Sequence, residues 1–176
     1  MIKIAILTAS DKGARGERID KSSEVIKEMV EKIGKVIAYA LVPDDEDVIA
    51  EKLVHFCDVL KVDLVLTTGG TGFSIRDVTP EATKRVIEKD VPGIPEIMRV
   101  ESFKKTNRSI LSRETAGIRG RTLIVNLPGS PKAVRENLEV ILDPLVHGIA
   151  ILKGESAEWE KRSEDDGLRR GIENFE

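Results

Sequence analysis

The sequence predicts an α/β fold: a three-layer α/β/α domain on a mainly parallel sheet. Short β-branched apolar runs alternate with amphipathic helical stretches. The crossovers between the runs are long enough to hold a helix, as parallel pairing requires. The helix starts Thr79-Pro80-Glu81 and Ser130-Pro131 each follow an apolar run after a glycine-containing turn, the order expected of strand–loop–helix units.

The elements follow from the N-terminus. Lys3–Thr8 is a short apolar strand. Ser22–Ile33 is a helix, with Ile26, Met29, Val30 and Ile33 on one face at 3.6-residue spacing, and Gly34 is expected to end it. Val36–Val42 is β-branched and apolar, a second strand closed by Pro43. Asp47–Leu60 is a helix whose stripe is Ile49, Leu53, Phe56, Cys57 and Leu60. Leu64–Thr68 is the third strand. Thr79 is expected to cap the next helix, with Pro80 as its first residue and Glu81 favourable to its dipole. Pro92 and Gly93 break that helix, and Ile94–Phe103 forms another with Pro95 in its first turn. Ile110–Arg113 and Arg121–Asn126 read as strands joined by a loop containing Gly117 and Gly120. The helix from Ser130 presents Val134, Leu138, Ile141 and Leu142. Asp143-Pro144 is expected to restart it in a new direction before it ends near Gly154. This defines a domain over residues 1–152 and a highly charged tail over 153–176, whose aromatic residues are Trp159 and Phe175.

A chain of 176 residues suits one well-packed domain. Its net charge of −3 argues against nucleic acid as a partner, since such binders carry a basic surplus. No apolar run approaches the length that spans a bilayer, so no membrane association is expected. Met1–Leu7 reads as a first strand and not as a signal peptide, because Asp11 and Lys12 follow at once. The single cysteine, Cys57, cannot form an internal disulfide, so the cytoplasm is the expected compartment. Two distant histidines and one cysteine make no zinc site. Glutamine is absent while Glu and Lys abound, a bias that suits a thermophile.

The chemistry concentrates in Thr67–Thr83. An apolar strand enters the turn Thr68-Gly69-Gly70-Thr71-Gly72, and Arg76-Asp77 and a helix start follow. Glycine lets backbone N–H groups approach a phosphate, and a helix N-terminus adds free donors. The turn matches neither the P-loop nor the dinucleotide fingerprint, so a tight turn and a phosphate cradle both remain open. Asp77 reads as a Mg²⁺ ligand or a turn carboxylate, and so does Asp44, which with Asp45 follows Pro43. Mg²⁺ is held by one or two carboxylates plus substrate phosphates, and both aspartates fall at the same sheet edge. Parallel sheets bind ligands at the carboxyl ends of their strands, which brings Thr8–Asp11, Pro43–Asp45, Thr68–Asp77 and Asn126–Lys132 together. The candidate ligand-binding residues are Ser10, Asp11, Thr68, Gly69, Gly70, Thr71, Gly72, Ser112, Asn126, Pro128, Gly129, Ser130 and Lys132. Arg113 could pair with an anion or with a surface Glu. His55, His147 and Cys57 read as structural.

These motifs together resemble the MogA/MoaB family of molybdenum cofactor biosynthesis proteins. The resemblance rests on Thr67–Gly72 with Arg76–Ala82, Ile110-Leu111-Ser112-Arg113, Asn126–Lys132, Ser10-Asp11-Lys12 and Pro43-Asp44, in family order over roughly residues 1–152. It implies a MogA-like molybdopterin-binding fold and a nucleotidyltransferase, molybdopterin adenylyltransferase. Such an enzyme joins ATP and molybdopterin with Mg²⁺ to give adenylyl-molybdopterin and pyrophosphate. The resemblance also implies a homotrimer, a MoeA-type molybdate-insertion partner, and catalytic, metal-binding roles for Asp44 and Asp77. The intact Arg76–Pro80 segment favours an active enzyme. The competing readings are a non-catalytic molybdopterin-binding or delivery module and other phosphate chemistry, such as hydrolysis of a pyridine-nucleotide-type substrate.

Overall fold

A computed structural model, which describes residues 1–155, has a six-stranded sheet at its centre. Strand β1 (Ile2–Ala9) is buried at every position except Lys3. Ser10 caps a single turn, α1 (Asp11–Ala14), its Oγ accepting from the Gly13 N–H at 3.0 Å. Asp20 caps α2 (Lys21–Val30), which leads to β2 (Gly34–Val42). Asp45 caps α3 (Glu46–Val54), which runs on as one π turn, His55–Val59. After β3 (Leu64–Thr68), wholly buried, come α4 (Thr79–Val86), β4 (Lys89–Asp90) and α5 (Gly93–Phe103). A 3₁₀ turn (Asn107–Leu111), β5 (Ala116–Arg119), β6 (Thr122–Leu127) and the long α6 (Pro131–Lys153) complete the order.

The strands lie in the order β2-β1-β3-β6-β5-β4. The first four are parallel, and β5 and β4 add an antiparallel edge. Period-two alternation sorts the apolar residues of each inner strand between two faces. Ile4, Ile6, Leu64, Leu66, Val125 and Leu127 meet α2, α5 and α6 through Ile26, Met98, Leu138 and Ile141. Ala5, Leu7, Val65 and Ile124 meet α3 and α4 through Ile49, Leu53, Ala82 and Val86. The three-layer α/β/α expectation is thus met. Cutting a fully buried core residue such as Leu53 to alanine would cost about 2–5 kcal/mol. Cys57 packs in the second core, where burial pushes its thiol up to about 11. That fits its reading as inert packing.

Several local expectations are corrected. Gly34 does not cap α2. It opens β2, where a Cβ would collide with the Ile2 carbonyl across the strand pair. Thr79 does not cap α4. It is the first helical residue, Pro80 is the second, and no side chain caps the start at Val78. Ile110–Arg113 is a 3₁₀ turn running into extended chain and not a strand. The strand pairing with β6 is Ala116–Arg119, read from sequence as loop because of its glycine. Asp143-Pro144 does not break the last helix. Pro144 sits inside one continuous α6, which ends at Gly154 with φ of +78°, the usual left-handed helix stop. Leu142 and Leu145, flanking the proline, are both buried in the core, so tertiary packing holds the helix through a residue that removes one ladder hydrogen bond. Most of the charged tail, including Trp159 and Phe175, lies outside the described residues.

Candidate active site

Four loops converge at the carboxyl ends of β1, β2, β3 and β6 around a cleft of about 800 Å³. Ser10, Asp44, Thr68, Gly69, Gly70, Asp77, Gly129 and Ser130 line it. The register explains the convergence: Thr8 pairs with Thr68, and Thr68 with Leu127, so three strands end level.

The carboxylates are tied together. The Asp11 N–H donates to Asp44 Oδ2 at 2.8 Å, and the Asp44 N–H donates to Asp11 Oδ1 at 3.0 Å. This reciprocal pair locks the loop after β1 to the loop after β2. Arg76 grips the Asp11 carboxylate with Nε and a terminal nitrogen, both at 3.0 Å. The Arg76 contact holds the Asp11 carboxyl below its usual range. Asp44 moves the other way: burial, helped by the nearby charges of Asp11 and Asp77, raises it. Asp77 Oδ2 accepts from the Ser74 N–H at 2.9 Å, closing the loop that carries Arg76. Asp44 is thus a partly desolvated carboxylate facing like charge, a setting that favours a bound cation.

The glycine turn is built by close approach. Gly69 (φ +89°) lies where a Cβ would strike the Ala9 carbonyl, and Gly70 (φ +65°) where one would strike Thr79 Oγ1. Both positions demand glycine for conformation and for space. Arg113 clamps the far side of the turn. It donates to the Gly72 carbonyl at 2.7 Å and the Asp77 carbonyl at 2.6 Å, and it pairs with Glu81. Of its two sequence readings, the carboxylate partner is the one seen. The Thr68 hydroxyl donates to the Pro128 carbonyl at 2.7 Å, and Ser22 Oγ to the Gly129 carbonyl at 2.8 Å. The first bond joins the two glycine loops and the second ties α2 to the later one, while Ser130 caps α6 by accepting from the Ala133 N–H.

Other sequence candidates fall elsewhere. Asp11 takes part through its bonds to Asp44 and Arg76. Thr71, Gly72 and Pro128, neighbours of the first cleft's residues along the same loops, line a second cleft of about 310 Å³ with Ser112, Arg99, Glu114 and Asn137. Glu114 is buried there, and burial raises its carboxyl against the pull of Ser112 and Arg99. Asn126 lines neither cleft. Fully buried, it donates to Thr67 and Thr83 and accepts from the Thr115 N–H, bracing β3, α4 and β6. Lys132 is exposed on α6 and lines neither cleft.

Asp20 was missed. It lines the main cleft, accepts from the Thr8 hydroxyl at 2.6 Å and the Tyr39 hydroxyl at 2.7 Å, and caps α2. Burial raises its carboxyl, but these hydrogen bonds outweigh it and the net shift is downward. An Asp just before an apolar helical repeat is an N-cap signal, yet only the fold turns it toward the cleft. Arg18 and Lys21 also line this wall.

A parallel sheet with a glycine turn, a helix start and half-buried carboxylates at its carboxyl edge defines an α/β domain suited to phosphate-bearing ligands. A family profile described as a probable molybdopterin binding domain matches residues 5–148. The chain belongs to that family. It is 42% identical over 156 residues to a molybdopterin adenylyltransferase of Helicobacter pylori, covering 87% of this chain and 89% of the relative. It is 41% identical over 152 residues to the molybdopterin adenylyltransferase of Pyrococcus furiosus, covering 82% and 88%. The crystal structure of the molybdopterin biosynthesis enzyme MoaB of Thermus thermophilus superposes with a TM-score of 0.82 at 48% identity. It covers 88% of this chain and 98% of that one.

Proposed function

We propose that the protein is a molybdopterin adenylyltransferase of molybdenum cofactor biosynthesis, joining ATP and molybdopterin to give adenylyl-molybdopterin and pyrophosphate. The observation that carries the reading is the meeting of two clefts at one glycine turn, with Asp44 and Asp77 lining the larger. Two substrates and one phosphoryl centre need such a junction. The similarity to adenylyltransferases over most of the chain supports the reaction class.

The terminal phosphate of molybdopterin attacks the α-phosphorus of ATP, one P–O bond forms, and the bond to pyrophosphate breaks. A phosphate dianion is already a nucleophile at neutral pH, so no general base is required. What the chain must supply is alignment and relief of negative charge. The rigid turn at Thr68–Gly72 and the start of α6 at Ser130 orient phosphate groups. Arg18 and Lys21 add positive charge along the same wall. Among the described residues no group of three or more Asp, Glu, His or Cys side chains could hold a metal unaided. The pair Asp44 and Asp77 fits Mg²⁺, which completes its shell with substrate phosphates and water. Bound there, Mg²⁺ would neutralise charge on the ATP phosphates. The same reading takes a homotrimer as the assembly, a MoeA-type molybdate-insertion enzyme as consumer of the product, and the cytoplasm as the compartment. Among the described residues no helix is long and apolar enough to cross a membrane.

The test is direct. Purified protein, ATP, Mg²⁺ and fresh molybdopterin are incubated, and adenylyl-molybdopterin and pyrophosphate are measured. Mg²⁺-dependent product supports the reading. Tight molybdopterin binding without product replaces it with a delivery module.

A further inference from the structure

Thr79 carries a polar group that the fold itself leaves unused. The residue is fully buried, and its Oγ1 is without a hydrogen-bond partner among the described residues. Its backbone is accounted for: the Thr79 N–H donates to the Gly70 carbonyl at 3.1 Å. A hydroxyl left buried and unpaired destabilises the fold, and valine would fill the same space without that cost.

The position of the hydroxyl gives the reason. A Cβ built on Gly70 would collide with Thr79 Oγ1 and stand 3.2 Å from Asp44 Oδ1. Both oxygens therefore border the same point beside Gly70 and lie within the reach of one bridging oxygen. Asp44 Oδ2 is already engaged by the Asp11 N–H. Gly70 has no side chain to come between the other two, so the glycine leaves hydroxyl and carboxylate as neighbours beside its Cα.

We propose that Thr79 is a positioning residue for adenylyl transfer. In the loaded site its hydroxyl donates to a water oxygen that Asp44 Oδ1 also contacts. This fixes the direction in which that carboxylate presents its charge. The proposal rests on the adenylyltransferase reading for its reaction but not for its geometry. Thr79 does not line the cleft, so it acts through Asp44 and the shared oxygen.

The experiment compares Thr79→Val, which keeps shape and removes the hydroxyl, with Thr79→Ser, which keeps the hydroxyl. Three readouts are taken: the thermal midpoint of the substrate-free protein, Mg²⁺-dependent ATP binding by titration calorimetry, and kcat and KM for adenylyl transfer. In Thr79→Val the midpoint is expected to hold or rise. Mg²⁺-dependent ATP affinity should fall about tenfold, the scale of one lost charge-assisted hydrogen bond. Turnover should fall about tenfold or more, and Thr79→Ser should recover most of both losses. Wild-type ATP binding and turnover in Thr79→Val would overturn the proposal. So would equal losses in both variants with a lowered midpoint, which would make Thr79 a packing residue. If the wild type binds MgATP but forms no adenylyl-molybdopterin, the functional reading fails, and the calorimetry still decides the role of Thr79.

Discussion

Replacing Asp44 with asparagine should move stability and activity in opposite directions. Asparagine keeps an acceptor oxygen for the Asp11 N–H and leaves the Asp44 N–H bond to Asp11 intact, so the loop geometry survives. What is lost is the charge. In the folded protein that charge is partly desolvated and faces Asp11 and Asp77, which is why the Asp44 carboxyl is raised. An acid raised on folding costs stability as pH climbs from its unfolded-state value through its raised folded-state value, and the cost persists above that window. Relieving a partly solvent-screened like-charge contact is worth about 0.5–1 kcal/mol, a rise of about 1–4 °C in melting temperature for a domain of this size. Turnover should fall by about 10²-fold or more, the scale of removing one electrostatic stabiliser. Initial rates of adenylyl-molybdopterin formation at saturating Mg²⁺ and a melting curve at pH 7 read both effects. Turnover within threefold of wild type would refute a role for the Asp44 charge in catalysis. A lowered midpoint would refute the account of that charge as an electrostatic cost.

Arg113→Ala removes the clamp on the Gly72 and Asp77 carbonyls. Denaturant unfolding should show a loss of about 2–4 kcal/mol, since charge-assisted bonds to half-buried acceptors are the strong ones, and turnover should fall with it. Gly69→Ala sets a Cβ against the Ala9 carbonyl at a φ of +89°, and a loss of at least about 2 kcal/mol by the same assay is expected. The Asp20 carboxyl is lowered by its hydrogen bonds, so its contribution is fully present above the ordinary carboxylate pKa and is lost as pH falls through the lowered folded-state value. The stability gap between wild type and Asp20→Ala should therefore be widest near pH 6–7 and narrow toward pH 3, measured by melting at stepped pH.

Much of the sheet and helix order was legible because inner strands of a parallel sheet are buried on both faces and read as unbroken apolar runs. Leu64–Thr68 and Thr122–Leu127 are of this kind. The edge was not legible. Lys89–Asp90 and Ala116–Arg119 are short strands whose pairing depends on neighbours distant in sequence, and β propensity is weak against such context. Pro144 misled for a related reason, because helix continuity through a proline depends on core contacts that local rules do not contain. The site divided in the same way. Asp44, Asp77 and the glycine turn were visible as residue types at strand ends. Asp20 and Glu114 were not, because their side chains reach the clefts from a helix cap and from the chain before β5.

Local chemistry along the chain determined the alternation of elements, the turn at Gly69–Gly72 and the acidic residues beside it, since period, capping and glycine requirements act over a few residues. Tertiary structure alone decided which candidates share a cleft. It withdrew Asn126 into the core as a brace, left Lys132 on the surface, turned Arg113 onto the loop carbonyls, and set Thr79 beside Asp44. The physical reason is register. The level ending of β1, β3 and β6 sets which loop residues face one another, and a shift of one residue in a strand would turn each side chain to the other face.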